Sequence, residues 1–332
     1  METARFWENV AGTTQVRCLL CPHHCLLEEN RTGICRVRQN RGGILYAQTY
    51  GKIAALAFDP VEKKPLYHFY PGRSILSIGS VGCNLRCIFC QNWHISQVDF
   101  QSFPLQDVSG KQLVEMAMNH GSVGIAYTYN EPLISWEFVY DTAFLAREKN
   151  LKNVLVTNGY IEREPLRELL PLIDAMNIDL KSMDEVFYQR YCGGKLSPVL
   201  ATIEMAFNAG VHVEITNLLV PCLNDRLELV EQLVDWVSRL SSSIPLHFSR
   251  YFPAYRLDYP PTSLSMLEEA FRVAKGKLHF VYLGNVQDAE KNSTFCPSCG
   301  KPVVRRSGYV VDVVGLEGKR CKFCQASLPF YN

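Results

Sequence analysis

The chain has 332 residues, enough for one large α/β barrel with small appendages or for two ordinary domains. Hydrophobic residues make up 47% and charged residues 20%, which excludes a disordered chain. Lys+Arg total 34 against Asp+Glu 33, so no global basic field marks nucleic acid as the main partner.

Met1 to Val10 shows no basic region followed by an apolar run, and no segment reaches the ~20 consecutive apolar residues of a membrane span. The expected location is therefore the cytoplasm. Thiols stay reduced there, so the 13 cysteines read as metal ligands or redox groups, not disulfides. All but two fall into three tight groups. Cys192 and Cys222 stand alone and read as core or loop residues, with Cys222 at a strand end that brings it near the site.

The first group is Cys18, Cys21, Cys25 and Cys35, in a short polar segment with His23 and His24. Apolar stretches at Ile44–Tyr50 and Ile53–Phe58 then predict a small hairpin or a pair of strands. A connector from Asp59 to Gly72 follows, whose prolines exclude a regular helix. It carries a dense polar cluster: Glu62, Lys63, Lys64, Tyr67 and His68.

From Ser74 onward strand-like and helix-like stretches alternate. Strands are predicted at Ser74–Ser80, Gly124–Tyr129, Asn153–Thr157, Ala175–Leu180, His212–Leu219 and Leu246–Tyr251, with a further one at His279–Leu283. Helices are predicted at Lys111–His120, Ser135–Lys149, Glu164–Leu170, Val199–Ala209, Leu227–Leu240 and Ser263–Lys275. Short apolar strands joined by amphipathic helices mean βαβ crossovers and a parallel sheet. Such a series builds a partial or full (β/α) barrel or a doubly wound open sheet, and periodicity alone does not separate them. The chain thus divides into a Cys-rich metal-binding segment and connector (1–73), a barrel (74–290) and a short C-terminal module (291–332).

The second cysteine group, Cys83-x3-Cys87-x2-Cys90, follows the first barrel-like strand. Closely spaced thiolates on an irregular loop hold iron–sulfur clusters, and a cubane takes four. Three local ligands leave one iron open to a chelating substrate. A zinc site is the alternative, with His94 as the fourth ligand. The entering strand, the aromatic Phe89 before the last cysteine and the downstream βα units favour the cluster.

At this point the sequence resembles the radical S-adenosylmethionine (SAM) superfamily, in the branch of pyruvate formate-lyase activating enzyme relatives. The nearest group is that of the AmmeMemoRadiSam system radical SAM enzymes. The resemblance runs through Cys21-Pro-His-His-Cys25, the connector Asp59 to Phe69, Gly82 to Asn92, Tyr127 to Pro132, Thr157 to Tyr160, Asp179 to Lys181 and the C-terminal cysteine pairs. It implies a partial (β/α)6 barrel holding a [4Fe–4S] cluster on Cys83, Cys87 and Cys90, which are also its catalytic residues. It implies SAM as co-substrate, cleaved to a 5′-deoxyadenosyl radical. A reductant such as flavodoxin or ferredoxin is then required, and the substrate is a protein, a peptide or a small molecule. Glycyl-radical activation is the narrower reading.

Ligands in barrels collect at the C-terminal ends of strands. Asn130 and Glu131 stand where the superfamily has residues that contact the SAM amino group, though a turn or helix cap also explains them. Thr157, Asn158, Asp179, Lys181 and Thr216 close the next three strands and complete the expected SAM set with Phe89, near the adenine. An Asn-Gly turn and a rim ion pair are the structural alternatives for these positions. The activases' cation-binding Asp is replaced by Val156. Asn217 is a further candidate.

Cys296-x2-Cys299 and Cys321-x2-Cys324 have the paired-knuckle spacing of a four-cysteine zinc ribbon, with an auxiliary iron–sulfur cluster as the alternative. The irregular spacing of Cys18, Cys21, Cys25 and Cys35 fits zinc or a second iron–sulfur cluster. The rival from another class is a non-catalytic scaffold holding zinc at all three groups.

Overall fold

The computed structural model describes residues 2–332. Its centre is an eight-stranded sheet. The strands are β1 (Ala55–Pro60), β2 (Ser74–Gly79), β3 (Gly124–Tyr127), β4 (Lys152–Thr157), β5 (Ala175–Asp179), β6 (His212–Leu219), β7 (Leu246–Arg250) and β8 (Val281–Gly284). Their spatial order is their chain order. From β2 to β8 every pairing is parallel, whereas β1 runs antiparallel to β2.

Six helices fill the crossovers from β2 onward: α1 (Gly110–Asn119), α2 (Trp136–Glu148), α3 (Arg163–Leu169), α4 (Leu196–Asn208), α5 (Leu227–Leu240) and α6 (Leu264–Lys275). A doubly wound sheet reverses strand order at a switch point. Here the order never reverses, so successive right-handed crossovers stack their helices on one face, as in a barrel. Among the described residues β1 and β8 remain the edges of the sheet, which makes the barrel partial.

Local chemistry sets the elements. Ser109 caps α1, and its side chain and that of Gln112 satisfy each other's backbone N–H groups. α5 buries Leu229, Val230, Leu233, Val234 and Val237, a stripe at helical spacing. β2 is buried from Ile75 to Gly79, as a strand covered on both faces must be.

Ile44–Ala47 and Ala55–Pro60 are strands but not partners. The first pairs with Arg38–Arg41 and Glu2–Thr3, and the second is β1 of the central sheet. The first segment of the chain therefore contributes an edge to the barrel.

The C-terminal module is a three-stranded sheet (Thr294–Phe295, Pro302–Ser307, Val310–Val313) and a short hairpin. It docks on the connector. The Phe330 ring stacks on His68 at 4.2 Å, and buried Arg306 donates to Glu62 and the Tyr67 carbonyl. Among the described residues no helix is long and apolar enough to cross a membrane.

Candidate active site

At the C-terminal ends of the parallel strands lies a cavity of about 370 Å³. Cys83, Cys87, Phe89 and Cys90 line it from the loop after β2. Asn130 and Glu131 enter after β3, Thr157 and Asn158 at the end of β4, Asp179 and Lys181 from β5, and Thr216 from β6. All eleven residues expected at the site therefore meet in one cavity. Asn217 is buried and turns its amide to the Leu180 carbonyl at 2.7 Å, away from the cavity. Cys222 is exposed in a turn and lies outside the cavity wall.

The cysteine loop has no regular structure to hold it, so side chains do. The Asn130 amide accepts from Ser80 N–H at 2.9 Å and donates to the Val81 and Gly82 carbonyls at 3.1 Å each. The Arg86 and Ile88 N–H groups donate to the Cys192 and Tyr191 carbonyls. Two N–H groups face Cys83 Sγ, Leu85 N at 3.3 Å and Asn158 Nδ2 at 3.5 Å. Such donors suit a thiolate that carries charge on a metal.

Glu131 fastens the second wall. Its Oε1 accepts from Thr157 Oγ1 at 2.6 Å and Leu133 N at 3.0 Å, and its Oε2 from Asn158 N at 2.8 Å. Burial pushes this carboxyl up to about 7, against the pull of those three donors. Lys181 donates to Asp179 at 2.8 Å. Burial works against its charge, but Asp179 and the neighbouring thiols outweigh burial and hold the ammonium firmly protonated.

Three features escaped the reading of the sequence. Cys192 is buried, as a core residue would be, yet it stands close enough to Cys87 that charge on one thiol disfavours charge on the other. A lone cysteine carries no spacing signal that could have shown this contact. Tyr129 sits at φ 72° and donates to Asp59 at 2.6 Å. Asp59 also takes Lys64 at 2.8 Å and Lys63 at 3.1 Å. Burial opposes the Asp59 charge, but these three donors hold the carboxyl well below its ordinary range. The connector's polar cluster is thereby divided. Lys63 and Lys64 line the cavity, whereas Glu62, Tyr67 and His68 face the C-terminal module and the lower end of the sheet.

In the C-terminal module Cys296, Cys299, Cys321 and Cys324 have sulfurs within 4.8 Å of one another. The two knuckles repeat one turn. Gly300 N–H donates to Cys296 O and Gln325 N–H to Cys321 O, and both Gly300 and Gln325 have positive φ. Sequence-distant pairs lie at 3.6 Å (Cys296–Cys324) and 3.8 Å (Cys299–Cys321). A tetrahedral ion with ~2.3 Å bonds to sulfur requires edges of about 3.8 Å, so this group can bind a metal.

Residues 77–237 match the model of the radical SAM superfamily. An uncharacterized protein of Methanocaldococcus jannaschii, MJ0808, is 44% identical over 329 residues, 98% of each chain. The pyruvate formate-lyase 1-activating enzyme of Escherichia coli is 27% identical over 152 residues, which cover 43% of this chain and 60% of that enzyme. Among solved structures, Streptococcus suis SuiB bound to S-adenosylmethionine superposes with a TM-score of 0.51 at 14% identity. That match covers 64% of this chain and 52% of SuiB, and it shows the fold alone.

The fold is that of a radical SAM protein, and Cys83, Cys87 and Cys90 lie within the residues that match the superfamily model. The chain belongs to the radical SAM superfamily, as a member similar to the pyruvate formate-lyase activating enzymes. The superfamily works with a [4Fe–4S] cluster and SAM.

Proposed function

We propose that the chain is an enzyme that cleaves SAM reductively in this cavity, with a [4Fe–4S] cluster held by Cys83, Cys87 and Cys90. One observation carries the reading: three thiols of a single loop share a cavity with polar side chains from three successive strand ends and the loop after β3. The donor set fits a cluster. Among the described residues these three sulfurs do not gather within 4.8 Å, as ligands of one ion would, and two N–H groups already face Cys83. When bound and reduced, such a cluster supplies one electron that splits SAM into methionine and a 5′-deoxyadenosyl radical, which takes hydrogen from the substrate.

The chain's own residues hold and enclose the co-substrate. Glu131 Oε2 has one protein donor and keeps a lone pair for the SAM amino group. Asn130 fixes the loop that carries the cluster. Thr157, Asn158, Asp179, Lys181 and Thr216 line the remaining polar wall, and Phe89 gives an apolar face for the adenine. Lys63, Lys64 and Tyr129 stand on the connector side, where they select the second substrate, a protein, peptide or small molecule.

The same reading assigns zinc to the C-terminal quartet, flavodoxin or ferredoxin as reductant, and the cytoplasm as location. It keeps three units: the Cys-rich segment and connector (1–73), the barrel (74–290) and the ribbon module (291–332).

Anaerobically reconstituted protein with SAM and dithionite is expected to release 5′-deoxyadenosine. The variant Cys83→Ala/Cys87→Ala/Cys90→Ala is expected to release none. Zinc without iron at those thiols, and no product from the parent protein, would leave the metal-scaffold reading in its place.

A further inference from the structure

The N-terminal quartet is the one cysteine group to which the proposed function assigns no metal. Cys18, Cys21, Cys25 and Cys35 line a single small hollow with Leu20, His23 and Ile134. Gly33 sits between two of them, where an added Cβ would lie 3.5 Å from Cys25 Sγ and 3.7 Å from Cys35 Sγ. Both histidines that could compete as ligands are engaged elsewhere. His23 Nε2 bonds the Asn84 carbonyl at 2.7 Å, and His24 pairs with Glu162 at 2.8 Å. The four thiols are thus the ligand set, each imidazole having its Nε2 committed elsewhere.

Two metals suit four cysteines, and sulfur spacing separates them. Four thiolates on one zinc ion stand about 3.8 Å apart. On a cubane each thiolate caps its own iron corner, so the sulfurs stand substantially farther apart. The C-terminal quartet has drawn in to the short spacing, with pairs at 3.6 and 3.8 Å. The N-terminal quartet has not: among the described residues no three of its sulfurs lie within 4.8 Å of one another. In this it matches Cys83, Cys87 and Cys90 and differs from Cys296, Cys299, Cys321 and Cys324.

A second observation points to a ligand. Arg38 lines the hollow and is 1% exposed. Its two terminal nitrogens bind Glu137, but its Nε–H is buried with no partner in the protein. A buried unpaired donor costs about 1–3 kcal/mol. The sulfur of a bound, negatively charged cluster would satisfy it.

We propose that Cys18, Cys21, Cys25 and Cys35 hold a second [4Fe–4S] cluster, fully ligated by thiolates and seated directly against the first. Four thiolates leave no open iron, so this cluster cannot chelate SAM and can only store or pass an electron. Its position suits that. A Cβ on Gly82 would meet the Cys35 carbonyl at 2.4 Å, so only glycine lets the two cysteine loops pack this closely. His23 and Asn84 bridge the same loops, and Asn84 in turn binds Asn158, which faces Cys83.

The test is a count of iron, sulfide and zinc, with Mössbauer spectra, on full-length protein purified anaerobically from iron-supplied cells. Parent protein and Cys83→Ala/Cys87→Ala/Cys90→Ala are compared. The expected result is about eight iron and eight sulfide per chain in the parent and about four of each in the variant, with about one zinc in both. A variant with no iron and about two zinc overturns the proposal and leaves the SAM-cleaving reading intact. A parent count of about four iron and two zinc does the same even where the variant does not fold. About four iron in parent and variant alike supports the second cluster and instead sinks the assignment of the first.

Discussion

The two ends of the parallel sheet carry similar side chains and put them to opposite uses. Strand residues two apart share a face, so Glu214, Thr216 and Leu218 of β6 climb one wall of the barrel interior. At the lower end Glu214 is closed off. Its carboxylate accepts from His212 at 2.9 Å, His247 at 2.6 Å, and the N–H groups of Tyr67 at 3.0 Å and His68 at 2.7 Å. One step higher, Thr216 and Leu218 face the cavity. The connector serves both ends, donating two N–H groups below and two ammonium groups above. Buried polarity whose bonds are all made within the protein holds the fold. Buried polarity with capacity left over a cavity is available for chemistry.

Removing Glu214 is expected to have the largest effect. Glu214→Ala leaves two histidines and two backbone N–H groups buried without an acceptor. Loss of one partner from a buried charge network costs about 3–5 kcal/mol. The shift in urea midpoint measures it. 5′-Deoxyadenosine formed per folded molecule should stay within about twofold of the parent, since a global loss of stability acts through the folded fraction. A variant as stable as the parent but inactive would break the division between the two ends.

Acid sharpens the same division. Burial lowers the His68 imidazole to about 3, although the Glu214 charge opposes it. His68 is neutral when folded, whereas the unfolded chain takes up this proton below ~6.5. The contribution is fully present above that pH. It is lost as pH falls, by up to about 1.4 kcal/mol per unit, until the folded group titrates near 3. His68→Phe keeps the stack on Phe330 and leaves the Tyr282 hydroxyl its partner Thr294 at 2.7 Å. Denaturant titrations between about pH 6.5 and 5 should show a flatter decline for the variant. An unchanged slope would place the acid sensitivity elsewhere.

The upper end was the more legible of the two in the sequence, for a physical reason. Cys83, Cys87 and Cys90 lie on one short loop, so their spacing is a local signal. Barrel ligands sit at strand ends, so locating the strands also located Glu131, Thr157, Asp179 and Thr216. The lower end is built from contacts far apart in the chain: Glu214 with Tyr67 and His68, and Arg306 with Glu62. One signal was available there, the alternation of His212, Glu214 and Thr216 in a strand otherwise apolar enough to be buried. The antiparallel pairing of Ala55–Pro60 with Ser74–Gly79 left none, because an edge strand reads alike whichever neighbour it takes. Whether four cysteines suit a single ion or a cluster likewise turns on sulfur spacing in three dimensions, which the intervals between cysteines do not encode.

The smallest effect is expected at the cavity rim. Lys63 and Lys64 both bind Asp59, but Lys64 is 2% exposed at its side chain and Lys63 is 42% exposed. Water screens the outer pair, and exposed ion pairs contribute about 0–1 kcal/mol. Lys63→Ala should therefore lower stability by less than about 1 kcal/mol, because Asp59 keeps Lys64 at 2.8 Å and Tyr129 at 2.6 Å. The small loss should also shrink further at high salt. The measurement is a pair of urea midpoints at low and high ionic strength. A loss of several kcal/mol that salt does not change would mean that Lys63 is as structural as Glu214, and the rim would then belong with the closed end of the sheet.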